Sequence, residues 1–214
     1  MRDTAVMIAA ATVALTGCDN DHMNPLGCDG GIDASASAAG CWPELVTTPR
    51  GSAVLGTGRG GFEPMPEVLP LEYGTQDGYN LVAHVRMSGF EPGDPKNIYE
   101  RRNPRTRIRA YFDDTGVPLN FYARCPFRNG YIAADDGGYE LGEGVPIIFE
   151  TCWRSNHLFG ARIRIELELM DDAGGYTKDV RIVTAAPPTS FYPDEQGAPP
   201  CEHRFVPGPA LQDP

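Results

Sequence analysis

Five arginines lie close together in the chain, at Arg101, Arg102, Arg105, Arg107 and Arg109. A guanidinium presents a planar fork of donors that matches the oxygens of phosphate and carboxylate groups, so a group of arginines can bind an anionic partner. Phospholipid headgroups, lipopolysaccharide and the acidic surface of another protein all offer such groups. The alternative is a solvated loop and strand face whose charge is offset by acids such as Glu166 and Glu168.

Three pairs of aspartates are each followed closely by glycine, and they are Asp113 with Asp114, Asp135 with Asp136, and Asp171 with Asp172. Turn chemistry explains them, because Asp caps its own backbone and Gly accepts a positive φ. Clustered carboxylates are also the ligands that calcium prefers, so the six residues are candidates for a calcium-binding rim. A rim needs all three turns at one end of the fold. That holds if residues 139–141 form a loop and fails if they form a strand. No other cofactor is expected.

Gly56, Gly58 and Gly61 match the G-x-G-x-x-G pattern of dinucleotide-binding loops. That pattern works only where a helix follows, because the amides at the start of the helix hold the pyrophosphate. Prolines at positions 64, 66 and 70 prevent such a helix. The sequence therefore predicts an ordinary loop.

Signatures of hydrolases are missing, since the chain has neither G-x-S-x-G nor H-E-x-x-H. The four histidines, at positions 22, 84, 157 and 203, fall in segments where solvated side chains are expected. A glycan hydrolase would need two carboxylates about 5 to 9.5 Å apart in a groove. Glu140, Glu143 and Glu150 are the candidates for that alternative.

Six cysteines, at positions 18, 28, 41, 125, 152 and 201, include no C-x-x-C pair. This spacing favours disulfides in an oxidising compartment over a zinc or redox site. Cys125 with Cys152 is the first candidate pair because both lie in the predicted domain. Cys41 with Cys201 is the second because it would join the two flanks.

The weakly polar run from Thr4 to Gly17 is too short to span a bilayer and fits the apolar core of a secretory signal. The residues at its end, Leu15-Thr16-Gly17-Cys18, resemble the lipobox of bacterial lipoproteins. This resemblance implies cleavage before Cys18 and attachment of a diacylglycerol to its thiol, and two acyl chains give stable anchoring. Asp19 resembles an inner-membrane retention signal, but the choice between inner and outer membrane stays open.

The chain has 214 residues, a formal net charge of −11, 25 glycines and 20 prolines. Sequence-independent binding of duplex nucleic acid needs a basic excess, so nucleic acid is not an expected partner. Hydrophobic residues make up 41% of the chain, which is enough for a core. The frequency of Gly and Pro favours short segments joined by turns over long helices. The composition therefore predicts a mostly β protein.

Alternation of apolar and polar side chains predicts strands that each have one buried face. Six candidates follow from it, at residues 79–88, 105–112, 119–125, 131–134, 145–151 and 162–169. Val180 and Ile182 continue the pattern after the last turn. Segments 105–112 and 119–125 are predicted to form a hairpin.

The hairpin that begins at Arg162 resembles the closing hairpin of bacterial Ig-like and PKD-type domains. The W-x-F-G-D-G stretch of PKD domains is missing, so the resemblance implies the broader Ig-like class. Segments 56–64 and 74–95 also resemble uncharacterised lipoproteins of Gram-negative bacteria, which implies no activity.

The predicted fold is an all-β, Ig-like antiparallel β-sandwich of about seven strands over residues 62–186. A signal segment (1–17) and a disordered tether with the lipidated cysteine (18–61) precede it, and a Pro-rich tail (187–214) follows. We expect a non-enzymatic binding or structural module, lipid-anchored in the cell envelope and facing the periplasm or the cell surface. Its expected partners are the membrane, through the lipid on Cys18, and an envelope protein or an anionic glycan or lipid.

Overall fold

Strands dominate the part of the chain that the computed structural model describes, which comprises residues 48–74, 78–120, 126–150 and 153–189. They form a six-stranded sheet and a seven-stranded sheet that share one apolar core. All of these residues belong to a single structural unit, Asp33–Pro214. The all-β sandwich predicted from the sequence is confirmed.

Sheet 1 contains six strands: β1 (Thr48–Pro49), β4 (Val68–Pro70), β7 (Arg105–Phe112), β8 (Phe127–Arg128), β12 (Arg162–Met170) and β13 (Gly175–Ala186). Sheet 2 contains seven: β2 (Ser52–Thr57), β3 (Glu63–Pro64), β5 (Glu72–Gly74), β6 (Gly78–Ser88), β9 (Tyr131–Ala133), β10 (Tyr139–Leu141) and β11 (Val145–Ile148). One short helix, α1 (Ser155–Leu158), is present in the described ranges.

Sheet 1 is built around β12, which pairs antiparallel with β13 on one edge and with β7 on the other. Its inward residues are all apolar and fully buried, and they are Ile163, Ile165, Leu167 and Leu169. Its outward residues are mainly charged, because successive side chains of a strand point to opposite faces. The strict alternation of β12 therefore gives sheet 1 one buried face and one charged face.

Sheet 2 is built around β6, which pairs antiparallel with β2, β5, β10 and β11. Its inward residues from Tyr79 to Met87 pack in the core. Residues Gly78 to Val85 are all buried, including those that point away from the core. Sheet 2 is therefore covered on both faces along most of β6.

The core between the sheets holds the fold together. Each large apolar side chain that is fully buried contributes about 1.5–3 kcal/mol relative to an exposed one. The sheets are also joined by a hydrogen bond in which the backbone N–H of Leu55 on β2 donates to Oδ2 of Asp179 on β13, at 2.8 Å. A side chain of sheet 1 thereby satisfies a backbone donor of sheet 2.

The sandwich begins earlier than residue 62, so the predicted boundary was too late. β1 and β2 lie within residues 48–61, which the sequence analysis assigned to the tether. Leu55 of β2 is almost completely buried in the core. Glycines and prolines around this short strand concealed its alternation. The predicted end at Ala186 is the last residue of β13.

The number of strands was also underestimated. The described residues contain thirteen strands, of which eight have only two to four residues and are too short to show alternation. The predicted arrangement was wholly antiparallel, whereas β1 and β4 pair in parallel with β13. Leu119 and Asn120 are not in a strand, and residues 121–125 of that prediction lie outside the described residues.

Several predictions fall outside the described residues. These are the signal segment, Cys18, the tether before Thr48 and the tail after Thr189. All six cysteines also fall outside, so the pairings Cys125 with Cys152 and Cys41 with Cys201 stay predictions. Within the described ranges, no helix has the length and apolar character needed to cross a bilayer.

Candidate functional site

The outward face of sheet 1 brings together five of the charged side chains that the sequence singles out, which are Arg105, Arg107, Arg109, Glu166 and Glu168. Register places cross-strand partners on the same face, so Arg105, Arg107 and Arg109 lie with the outward residues of β12. We call the outward side chains of β7, β8, β12 and β13 the arginine face. Its charged and aromatic members are Arg105, Arg107, Arg109, Tyr111, Arg128, Arg162, Arg164, Glu166, Glu168, Tyr176 and Lys178.

Ion pairs form a ladder along the centre of the arginine face. Arg107 lies 2.6 Å from Glu168, and Arg109 lies 3.2 Å from Glu168 and 3.4 Å from Glu166. Arg164 approaches Glu166 from the other side at 3.0 Å. A connected network orders its members more than isolated surface pairs do. The guanidinium groups are therefore held in fixed positions in the free protein.

Two tyrosines lie within this ladder. The guanidinium groups of Arg164 and Arg109 lie 5.0 and 5.7 Å from the centre of the Tyr111 ring, within cation–π distance. Tyr176 donates a hydrogen bond from its hydroxyl to Oε1 of Glu168, at 3.1 Å. Burial and the nearby Glu168 raise the pKa of Tyr176 to about 12. Both tyrosines are therefore neutral side chains near neutral pH.

The arginine face has a positive excess although the chain is strongly acidic. Seven of its side chains are basic and two are acidic. Two further carboxylates, Asp113 and Asp172, reach it from adjoining turns and pair with its arginines. The face carries three more positive than negative charges, whereas the whole chain has a formal net charge of −11.

The five arginines proposed for an anionic partner are divided between two locations. Arg105, Arg107 and Arg109 lie on β7, whereas Arg101 and Arg102 lie in the loop before it. Arg102 pairs with Glu91 and Glu100, and Glu166 and Glu168 offset the β7 arginines as the alternative interpretation expected. Sequence reasoning missed Arg128, because only the pairing of β7 with β8 brings it opposite Arg105.

The three acidic turns do not meet at one calcium site. Residues 139–141 form a strand, which is the condition under which the sequence analysis expected the rim to fail. Asp113 pairs with Arg162, Asp136 with Arg86 and Asp172 with Arg105. Asp171 accepts hydrogen bonds from the amides of Ala173 and Gly175. Asp114 is adjacent to Asp113 in its turn, and Asp135 is adjacent to Asp136. The described residues contain no group of three or more side chains that could hold a metal ion.

The carboxylates considered for glycan hydrolysis are spread along sheet 2. Glu140 pairs with Arg86 at 2.7 Å, and Glu143 is exposed in the turn after β10. Glu150 follows β11, whose last residue lies opposite Asn80 of β6. Arg86 and Asn80 are separated by about 20 Å along the strand. The backbone therefore places Glu140 and Glu150 farther apart than a pair of catalytic carboxylates.

The glycine motif forms the hairpin between β2 and β3, as expected for a loop. A Cβ on Gly56 would overlap the Phe62 ring and the carbonyl oxygen of Glu63. Gly58 has a φ of +103°, and a Cβ there would overlap the carbonyl oxygen of Gly61. The glycines therefore allow the hairpin to fold back on itself, so that Phe62 reaches the outward face of β6.

His84 was expected to be solvated, and the structure contradicts this expectation. It points away from the core, as the alternation predicted, but Phe62 covers it and its exposed fraction is 0%. The two rings meet edge to face with their centres 5.9 Å apart. The guanidinium of Arg86 lies 4.6 Å from the centre of the Phe62 ring on the same face. This region is closed by protein and offers no open site.

Buried His84 has an unusual electrostatic environment. Neither ring nitrogen makes a hydrogen bond of normal geometry with the described residues. Burial lowers the pKa of His84, and Arg86 acts in the same direction, while the Glu140 carboxylate and the Val85 backbone oppose them. The neutral ring is therefore the stable form under the hairpin.

Comparison with known protein families, with curated proteins and with solved structures finds no match for this chain. The arginine face is the site that the chain's own residues define best.

Proposed function

We propose that this chain is a non-enzymatic binding or structural module of the cell envelope, and that the arginine face is its contact surface for an anionic partner. The lipid expected on Cys18 holds the module to a membrane. The observation that carries the proposal is the excess of three positive charges on one sheet face of a chain with net charge −11.

The geometry of the arginine face supports binding more than catalysis. Its central arginines are held by Glu166 and Glu168, so little side-chain freedom is lost when a partner docks. Lys178 is exposed on the same face, and an exposed cation of this kind attracts a negatively charged surface over about a Debye length, roughly 8 Å in physiological salt.

Apolar side chains at one edge of this face add a contact of a different kind. Val180 and Ile182 of β13 lie opposite Glu166 and Arg164, and they are 45% and 46% exposed. Val68 of β4 lies beside them, opposite Thr184, and is also exposed. Exposed apolar groups beside a charged surface are a common feature of protein interfaces.

Site-specific crosslinking in intact cells tests the proposal. A photoreactive amino acid replaces Lys178 on the arginine face, and the control places it at Ile132, an exposed residue of β9 on the other sheet. We expect crosslinked products from position 178 that weaken at high salt and are absent from position 132. Equal crosslinking from both positions, or none from 178, contradicts the assignment of the face.

The same cells test the anchor. We expect Cys18→Ala to lose labelling by radioactive palmitate and to leave the membrane fraction. Retained label in this variant contradicts the lipid assignment. Loss of the anchor and loss of the contact surface are thereby observed separately.

A further inference from the structure

One end of the arginine face holds two arginines directly opposite each other. Arg105 on β7 pairs in register with Arg128 on β8. Like charges in this arrangement repel, so they require a counter-charge. Among the described residues, Asp172 is the carboxylate within ion-pair distance of both guanidinium groups, at 3.5 Å from Arg105 and 3.3 Å from Arg128. Two cations therefore share one anion.

Hydrogen bonding at this pair is also incomplete. Nη1 of Arg105 is buried and has no acceptor among the residues that the structure describes. Arg128 donates to the carbonyl oxygens of Arg101 and Asn103, which fixes its guanidinium in place. Burial lowers the pKa of Arg105, repulsion from Arg128 lowers it further, and Asp172 raises it. The site thus has a positive charge and a donor that its described neighbours do not satisfy.

We propose that Arg105 and Arg128 form a subsite that binds one phosphate group. This inference rests on the proposed function, because it names the chemical group that the arginine face recognises. Two guanidinium forks fit the several oxygens of a tetrahedral phosphate, and charge-assisted bonds of this type are short and strong. The phosphate group belongs to a lipid headgroup or to a soluble phosphate compound.

The entry point of the chain into the sandwich favours the lipid headgroup. Pro49 of β1 lies opposite Tyr176, Tyr176 opposite Met170, and Met170 opposite Arg105. These four residues form one row across sheet 1, so about 14 Å separates the backbone at Pro49 from that at Arg105. The segment that carries the expected lipid therefore leads into the sandwich at the end where the subsite lies.

Phosphate titration tests the subsite. Inorganic phosphate is added to the folded protein at constant ionic strength, with sodium chloride as the balancing salt, and the side-chain N–H signals of the arginines are followed by NMR. We expect the Arg105 and Arg128 signals to shift together, and Arg128→Gln to weaken phosphate binding by about tenfold or more. The control is Arg59→Gln, because Arg59 has its own carboxylate, Glu72, on sheet 2.

A second variant keeps the test decisive if Arg128→Gln fails to fold. Asp172→Asn leaves both guanidinium groups without their shared carboxylate, so its melting temperature should fall in chloride and recover when phosphate replaces chloride. The wild-type protein should show a smaller shift. Equal shifts in the two proteins, or signals of Arg105 and Arg128 that do not respond to phosphate, overturn the proposal.

Vesicles distinguish the two sources of phosphate. Cosedimentation with phosphatidylcholine vesicles that contain phosphatidic acid, but not with phosphatidylcholine alone, supports the lipid headgroup. Binding of inorganic phosphate without vesicle binding supports a soluble phosphate compound. If phosphate fails to bind while crosslinks from position 178 persist, the subsite is wrong and the proposed function stands.

Discussion

Single residues on the outward side of β6 determine how sheet 2 responds to pH. His84 is completely buried, and neither ring nitrogen has a hydrogen-bond partner among the described residues. The carboxylate of Glu140 is the nearby charge that favours protonation, but Arg86 already pairs with it at 2.7 Å. Protonating His84 inside the fold is therefore unfavourable, because burial dominates.

Stability should consequently fall as the solution becomes mildly acidic. The folded-state pKa of His84 lies below its ordinary value of 6.5, so the unfolded chain takes up this proton first. The free energy of unfolding should be highest above about pH 6.5 and should decrease as the pH falls through that value. In His84→Leu this part of the decrease should disappear. Urea denaturation at about pH 7.5 and 5.5 measures the free energy of unfolding of the wild-type protein and of His84→Leu at each pH.

His157→Gln provides the matched control, because His157 is exposed on α1. This variant keeps His84, so it should retain the loss of stability that His84 causes on acidification. The same loss of stability between the two pH values in His84→Leu and in the wild-type protein would show that His84 does not cause it.

The burial of His84 could not be predicted from β6 alone. Alternation correctly placed it on the face opposite to Leu81 and Val85, but that face is usually solvated. Its cover is Phe62, which is 22 positions earlier in the chain and depends on the fold of a glycine-rich hairpin. Arg128 was missed for the same physical reason, since its position opposite Arg105 depends on strand pairing and not on local sequence.

At the scale of secondary-structure elements, the hairpin between β2 and β3 depends on glycine at two positions, Gly56 and Gly58. It is held over β6 by a hydrogen bond from the Gly144 N–H to the Arg59 carbonyl, at 2.9 Å, and by the ion pair of Arg59 with Glu72. Thr57 also donates a hydrogen bond from its hydroxyl to the Val82 carbonyl, at 2.8 Å. These contacts fix the loop only if its turn can close.

Gly58→Ala should therefore destabilise the protein by about 1–3 kcal/mol, because alanine disfavours the positive φ and its Cβ meets the Gly61 carbonyl. Gly60→Ala should change stability by less than about 0.5 kcal/mol, since no atom lies within 4 Å of its Cβ position in the described part of the chain. Chemical denaturation of the two variants measures the difference. Equal stability of the two variants would contradict this role for Gly58.

Long, regular strands could be predicted from the sequence, whereas short ones could not. β7 has the predicted bounds, and β12 extends one residue beyond the eight that alternate in the sequence, because Met170 is also buried. β8 and β3 have two residues each and acquire strand geometry only through their partners. The centre of the arginine face was therefore predictable from β7 and β12, but the subsite at its end was not.

At the scale of the whole molecule, the two sheets depend on β2 for part of their contact. Leu55 is 1% exposed, and its backbone N–H donates to Asp179 of the other sheet. Residues Ser52 to Gly56 of β2 pair with β6. Removing β2 would therefore leave that edge of β6 unpaired and would expose the core that β2 covers. The sandwich therefore requires residues that precede Phe62.

A chain that begins at Phe62 should consequently lose cooperative folding. Loss of the buried Leu55 side chain alone should lower the free energy of unfolding by about 2–5 kcal/mol, which is a large part of the stability of a typical domain. A chain that begins at Thr48 keeps β1 and β2 and should unfold cooperatively. Circular dichroism during thermal unfolding compares the two. A sharp transition at the same temperature in both would show that β2 is dispensable.

The junction between β1 and β13 has a mechanical consequence. Backbone hydrogen bonds, including those from the Thr48 N–H to the Gly174 carbonyl and from the Arg50 N–H to the Tyr176 carbonyl, attach the start of the described chain to sheet 1. If the proposed lipid anchor pulls on that segment while the proposed partner holds the arginine face, both forces act on sheet 1. Because β1 has only two residues, few bonds would have to open before the attachment lengthens. The linkage would act as an extensible joint that spares the folded body.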